Sequence, residues 1–271
     1  MAFNSGLSPI VKPWVLLLLL ALLQCSSAQF CSFLNNGCID PLAQTAVSFD
    51  FQPLFTDPIY FYYGFDASSS GKGEGPMTKT GFWLRYQDRH VNKDAINQNM
   101  TSEVALRVGN MTATPSGTNN GCDGVWGTRC SNDIKFAIQQ TIFLLSSSGR
   151  YYDRPLQKAL EHMMLVPPHL PNCVSFVFDV AAIPVQEFAR EGDDQNVIVM
   201  PSGSGERPWQ VFYLDDMTDH QQASQVAVGI ITRGPSHNSP PPMSPNEIQV
   251  ELVCLQAPQS PPSGSSSKDH D

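Results

Sequence analysis

Ile248-Gln249-Val250-Glu251-Leu252-Val253-Cys254 carries apolar side chains at every second position, with Gln249 and Glu251 between them. A period of two belongs to a strand with one face on a core. Ile248, Val250, Leu252 and Cys254 are expected to point inward, and Gln249 and Glu251 toward water. The same texture recurs upstream. Short runs rich in β-branched and aromatic residues, separated by clusters of Gly, Pro, Asn, Asp and Ser, predict strands over 46–51, 59–65, 81–86, 103–108, 174–180, 196–200, 209–214, 225–232 and 248–255. Strands at this spacing favour an antiparallel sandwich or barrel, here a mainly β, jelly-roll-like antiparallel β-sandwich.

The period changes between the fourth and fifth of these strands. Ile134, Ile138, Ile142 and Leu145 recur at helical spacing after Ser131, a residue able to cap the first turn. Leu156, Ala159, Leu160, Met163 and Met164 repeat the pattern after Asp153, with Pro155 in the opening turn, where its missing N–H costs nothing. A two-helix insertion is therefore expected over about 131–165, one face against a sheet. Pro167, Pro168 and Pro171 end it.

The N-terminus reads as a discarded leader. Lys12 precedes the apolar run 15–23, and Ser26-Ser27-Ala28 supplies small residues for cleavage. That run is too short for a membrane span, which needs about 20 apolar residues. Residues 1–28 are thus expected to be a signal peptide, 29–256 one secreted β-rich domain, and 257–271 a disordered tail of Pro, Ser, Gly, Lys, Asp and His. No membrane span is expected in the mature chain.

The 271 residues carry a net charge of −9, and the leader holds one Lys and no acid. An acidic chain with scattered bases repels phosphate backbones, so nucleic-acid binding is excluded as a class. The cysteines remaining after the leader are Cys31, Cys38, Cys122, Cys130, Cys173 and Cys254, an even set expected to be disulfide-bonded outside the cell. Spacing favours local loops, Cys31 with Cys38 and Cys122 with Cys130, and a long-range staple of Cys173 to Cys254, although sequence alone does not fix the partners. Asn99-Met100-Thr101 and Asn110-Met111-Thr112 are glycosylation sequons.

Candidate sites follow from side-chain chemistry. In Tyr60-Phe61-Tyr62-Tyr63-Gly64-Phe65, alternation places Phe61, Tyr63 and Phe65 on one face and Tyr60 with Tyr62 on the other, about 7 Å apart. Sugar rings stack on such aromatic faces. Trp126 and Arg129, between Cys122 and Cys130, are residue types that dominate interface hot spots. Asp215, Asp216 and Asp219 form an acidic turn in which calcium is a possible ligand, and 191–194 is a similar loop. Asp50, Asp179, Glu187 and Asp215 are strand-borne or strand-end acids of the type that pair in glycoside hydrolysis. Ser202-Gly203-Ser204-Gly205 lacks the first glycine of a nucleophile elbow and reads as a turn.

The expected function is that of a secreted glycoprotein, an extracellular binding module for a glycan or protein ligand, with no catalytic residue assigned. The alternatives are a glycan-active hydrolase or lyase and a structural subunit of a surface complex. Treating secreted material with an N-glycosidase should lower its mass through Asn99 or Asn110; an unchanged mass would remove the sequon assignment.

Overall fold

The computed structural model describes residues 43–66, 77–108, 111–149, 154–173, 185–192, 194–215, 225–237 and 239–256. The predicted leader, Cys31, Cys38, Asn110, Asp153, the predicted strand 174–180, Asp216, Asp219 and the predicted tail lie outside them. Two antiparallel sheets dominate. One contains β1 (Ala43–Phe49), β2 (Ile59–Asp66), β3 (Met77–Arg85) and β7 (Gln210–Asp215), in the order β1-β2-β3-β7. The other contains β4 (Met100–Val108), β5 (Val185–Glu191), β6 (Val197–Val199), β8 (Val226–Pro235) and β9 (Gln249–Gln256), in the order β6-β5-β4-β8-β9. Helices α1 (Asp123–Trp126), α2 (Thr128–Ser147) and α3 (Pro155–Leu165) fall between β4 and β5, where the period changes.

The five-stranded sheet is covered on both faces. On one, Val104 and Leu106 of β4, Phe188 of β5, Ala227 and Ile231 of β8, and Val253 and Leu255 of β9 join Phe61, Tyr63, Phe65, Phe82 and Leu84 of the other sheet. On the opposite face, Ile134, Ile138 and Ile142 of α2 and Leu156, Ala159, Leu160 and Met163 of α3 cover Ala105, Val226, Val228, Ile230, Val250 and Leu252. The layers are thus sheet, sheet and helices. Close packing between the sheets requires Gly229: a Cβ there would sit 2.9 Å from the Phe61 ring.

This double burial refines the reading of the last strand. Ile248, Val250, Leu252 and Cys254 face the helices, and Val253 and Leu255 fill the sandwich. Glu251 is half-buried instead of free in water, and Lys135 Nζ approaches its Oε2 to 3.0 Å. The helix start also differs. Helix α2 begins at Thr128, so Ser131 lies in its first turn and donates its hydroxyl to the Gly127 carbonyl (3.1 Å) instead of capping it.

The bridges differ from the local pairing expected from spacing. Cys122 joins Cys254, and Cys130 joins Cys173. The cause is the layering: Cys254 lies on the helix-facing side of β9, under the start of the insertion, while Cys130 on α2 meets the segment that follows α3. Each bridge therefore fastens the helical layer, one to the sheet and one to its own exit. With separations of 132 and 43 residues, the chain-entropy picture assigns them about 5 and about 4 kcal/mol. Non-reducing peptide mapping should recover Cys122 linked to Cys254 and Cys130 linked to Cys173; a Cys122–Cys130 peptide would contradict this arrangement.

Candidate binding site

The solvent face of the four-stranded sheet carries the aromatic row expected from alternation in β2. Phe61, Tyr63 and Phe65 are sealed in the sandwich, while Tyr60 is 48% exposed and Tyr62 half-buried. Their ring centroids lie 6.4 Å apart. Tyr62 pairs across the strands with Trp83, and the rings stack at 5.4 Å and 7°. Trp83 itself is held from the other side by the 201–208 segment. The Gly203 N–H donates to the Leu84 carbonyl (2.9 Å), and a Cβ on Gly203 would lie 2.4 Å from that of Trp83. The expected turn over 202–205 is thus a backbone clamp on the indole. Small neighbours leave the tyrosines open: Ser48 stands opposite Tyr60 and Ala46 opposite Tyr62, both exposed. Arg85, also exposed, flanks Tyr60 on β3 and brings a guanidinium to the edge of the row.

A second concavity lies on the helix side of the other sheet. It is a cleft of about 920 Å³ between β4, β5, the start of α3 and the residues Ser236, His237 and Pro240, and its lining is polar. Glu187 stands in its wall, held by the Thr101 hydroxyl (3.2 Å) and by Arg190 Nε (2.7 Å). Glu103 is the cross-strand partner of Glu187, next to a register shift in the β4–β5 ladder. It is wholly buried, accepting the Leu156 N–H at 2.6 Å on Oε2, while Oε1 has no partner. Burial pushes its pKa up to about 8, and the neighbouring Glu187 charge adds to the rise; the Leu156 amide and Arg154 oppose it. At neutral pH Glu103 thus holds its proton, while its cross-strand neighbour Glu187 is paired with the Arg190 guanidinium. Glu103 takes no part in lining the cleft. It anchors the first turn of α3 to the sheet from behind the wall.

Other candidates fall elsewhere. Trp126 is half-buried against the helical core with its Nε1 donating to Met111 Sδ (3.2 Å), and Arg129 is exposed on α2. Asp123, between them and Cys122, accepts the hydroxyls of Thr118 and Thr128 (the latter at 2.8 Å), and these bonds outweigh its burial and lower its pKa. Asp215 ends β7 opposite Met77. No cluster of three His, Cys, Asp or Glu able to hold a metal occurs among the described residues. Asn99 is exposed at the rim of the cleft. Of the strand-borne acids, Glu187 reaches the cleft, Asp50 lies exposed after β1, and Asp179 is outside the described residues. Of the acidic stretch 191–194, Glu191 lines the cleft and Asp193 lies outside the described residues; between β5 and β6 the Gly192 N–H donates to the Asn196 carbonyl (2.8 Å). Sequence reasoning missed Glu103, Arg154 and Arg190 as members of this region. The available signal was an acid flanked by apolar residues in Glu103-Val104-Ala105-Leu106, a position that a strand buried on both faces cannot expose.

Against known proteins, the chain matches no family model, no curated protein and no solved structure.

The buried acid sets a pH dependence. Unfolded, Glu103 ionises near 4.5; folded, it holds its proton up to about 8. Folding takes up a proton between those values, so this group's contribution to stability is full below pH 4.5 and declines as pH rises through 8. Glu103→Gln keeps an acceptor for Leu156 and cannot ionise. In urea denaturation the variant should gain stability relative to the parent from pH 5 to pH 8, by on the order of a few kcal/mol. Parallel curves would contradict the assignment.

Proposed function

We propose that this chain is a secreted binding module that takes a glycan on the aromatic row of its four-stranded sheet. The observation carrying this reading is the Tyr60–Tyr62–Trp83 step: one ring half exposed, the next stacked flat on a buried indole, with the small Ser48 and Ala46 opposite them on β1. A ring fixed by stacking presents its face without losing rotamer freedom on binding, and the CH faces of a sugar pack on it while hydroxyls reach Arg85. The setting is supported by two disulfides among the described residues, which belong to an oxidising compartment. No helix of the described residues is long and apolar enough to cross a membrane.

Hydrolysis is less well supported. Its two carboxyls must face each other across a cleft and touch the scissile bond. Glu103 and Glu187 stand side by side on paired strands, and the one able to donate a proton at neutral pH is sealed from the cleft. A protein ligand remains the second reading for the same row, since Tyr and Arg also dominate protein interfaces.

Screening of the purified mature protein against immobilised polysaccharides and a secretome tests both. Retention on a glycan should fall about three- to tenfold for Tyr60→Ala, the loss of one stacking contact, with an unchanged melting temperature. Capture of a glycan with unaltered strength by a Tyr60→Ala/Tyr62→Ala variant would overturn the assignment of the row.

A further inference from the structure

The cleft beside Glu187 is not explained by the tyrosine row, which lies on the outer face of the opposite sheet. Its charged lining balances: Arg154 and Arg190 stand against Glu187 and Glu191. A phosphate or sulfate would meet the carboxylates, and a cation the guanidiniums. A neutral ligand rich in hydroxyls suits a wall that offers donors and acceptors in equal measure. The cleft presents no phenyl, phenol or indole ring among its described lining residues, so a free sugar would find little apolar surface to hold it there.

Asn99 resolves this. It lines the polar cleft and also a neighbouring, mostly apolar groove of about 250 Å³ formed by prolines, Met100, Met243 and Ile248 with Glu247 as its one charged residue. Asn99 is exposed, and its main chain is fixed on both sides, the N–H donating to Asn97 Oδ1 (2.9 Å) and the carbonyl accepting from Ser236 (3.0 Å). It is also the acceptor of the Asn99-Met100-Thr101 sequon. The first sugar of an N-linked chain is N-acetylglucosamine, which joins an acetamido methyl to a ring of hydroxyls. Attached at Asn99, it starts where an apolar groove adjoins a polar cleft.

We infer that the cleft is the docking site of the N-acetylglucosamine core of the chain's own glycan on Asn99. Covalent attachment supplies an effective concentration on the order of millimolar or above, so contacts that hold a free sugar only at millimolar concentration suffice. Docking covers Glu187 and Arg190, and it ties β4 to β5 and to Ser236, His237 and Pro240. Thr101 of the sequon is 2% exposed and its hydroxyl is engaged by Glu187. The sequon is therefore readable only before β4 pairs.

The inference rests on use of this sequon and not on the tyrosine row, and the two are tested separately. The full secreted chain is prepared on a Tyr60→Ala background in three forms: as secreted, after enzymatic removal of the glycan, and as Asn99→Gln. The last spares Thr101, whose loss would also disturb Glu187. Peptide mass spectrometry reads occupancy of Asn99, and N,N′-diacetylchitobiose is titrated into each form by saturation-transfer NMR. The disaccharide should bind the deglycosylated and Asn99→Gln forms at millimolar concentration, at least about tenfold more weakly to the glycosylated form, and to Asn99→Gln/Arg190→Ala with a similar loss. An unmodified Asn99 in the secreted protein, equal binding with and without the glycan, or no binding to either glycan-free form would overturn it.

Discussion

Burial of the five-stranded sheet on both faces is the constraint from which the other features follow. Strand β8 divides its side chains between two cores, with Ala227 and Ile231 in the sandwich and Val226, Val228 and Ile230 under the helices. Each such Val or Ile side chain contributes about 1.5–3 kcal/mol when sealed from water. A strand placed this way turns no face to water from Val226 to Thr232, and Gly229 marks how closely the layers approach. The helical insertion is therefore the third layer of the core and not an appendage, and Cys122–Cys254 fastens it to the sheet it covers.

The same burial dictates the electrostatics. Glu103 lies on the covered side of β4, so it keeps its proton and spends one oxygen on the first free amide region of α3. Glu187, one strand further toward the edge, meets the cleft and stays bound to Arg190. Helices and edge strands thus crowd polar chemistry to one end of the five-stranded sheet. On the outer face of the other sheet the 201–208 segment holds the buried Trp83, and beside that indole Tyr62 stacks half-buried and Tyr60 stands exposed.

Much of this was legible in the sequence because burial leaves a period. Tyr60 and Tyr62 alternate with Phe61, Tyr63 and Phe65, and the structure sorts them as alternation predicts. Ile134, Ile138 and Ile142 repeat at helical spacing and reach the core of α2. What stayed hidden had no period to show. Strand β5 mixes Gln186, Glu187, Arg190 and Glu191 with Val185, Phe188 and Ala189, because Glu187, Arg190 and Glu191 turn to the cleft while Gln186 accepts from the Gln210 side chain of β7 (2.6 Å). Cysteine partners were misread because proximity in sequence says nothing of which layer a side chain enters: Cys122 and Cys130 are close along the chain yet bridge in different directions. The cleft was missed for the same reason, since Glu103, Glu187 and Arg154 meet only through pairing across the insertion.

Hydrogen exchange of the secreted protein, followed residue by residue, tests the doubly covered sheet most directly. Amides of β8 and of its neighbour β4 should be the slowest in the molecule, opening only with global unfolding, while β6 at the sheet edge exchanges orders of magnitude sooner. Exchange of β8 as fast as that of β6 would contradict the three-layer core and everything built on it.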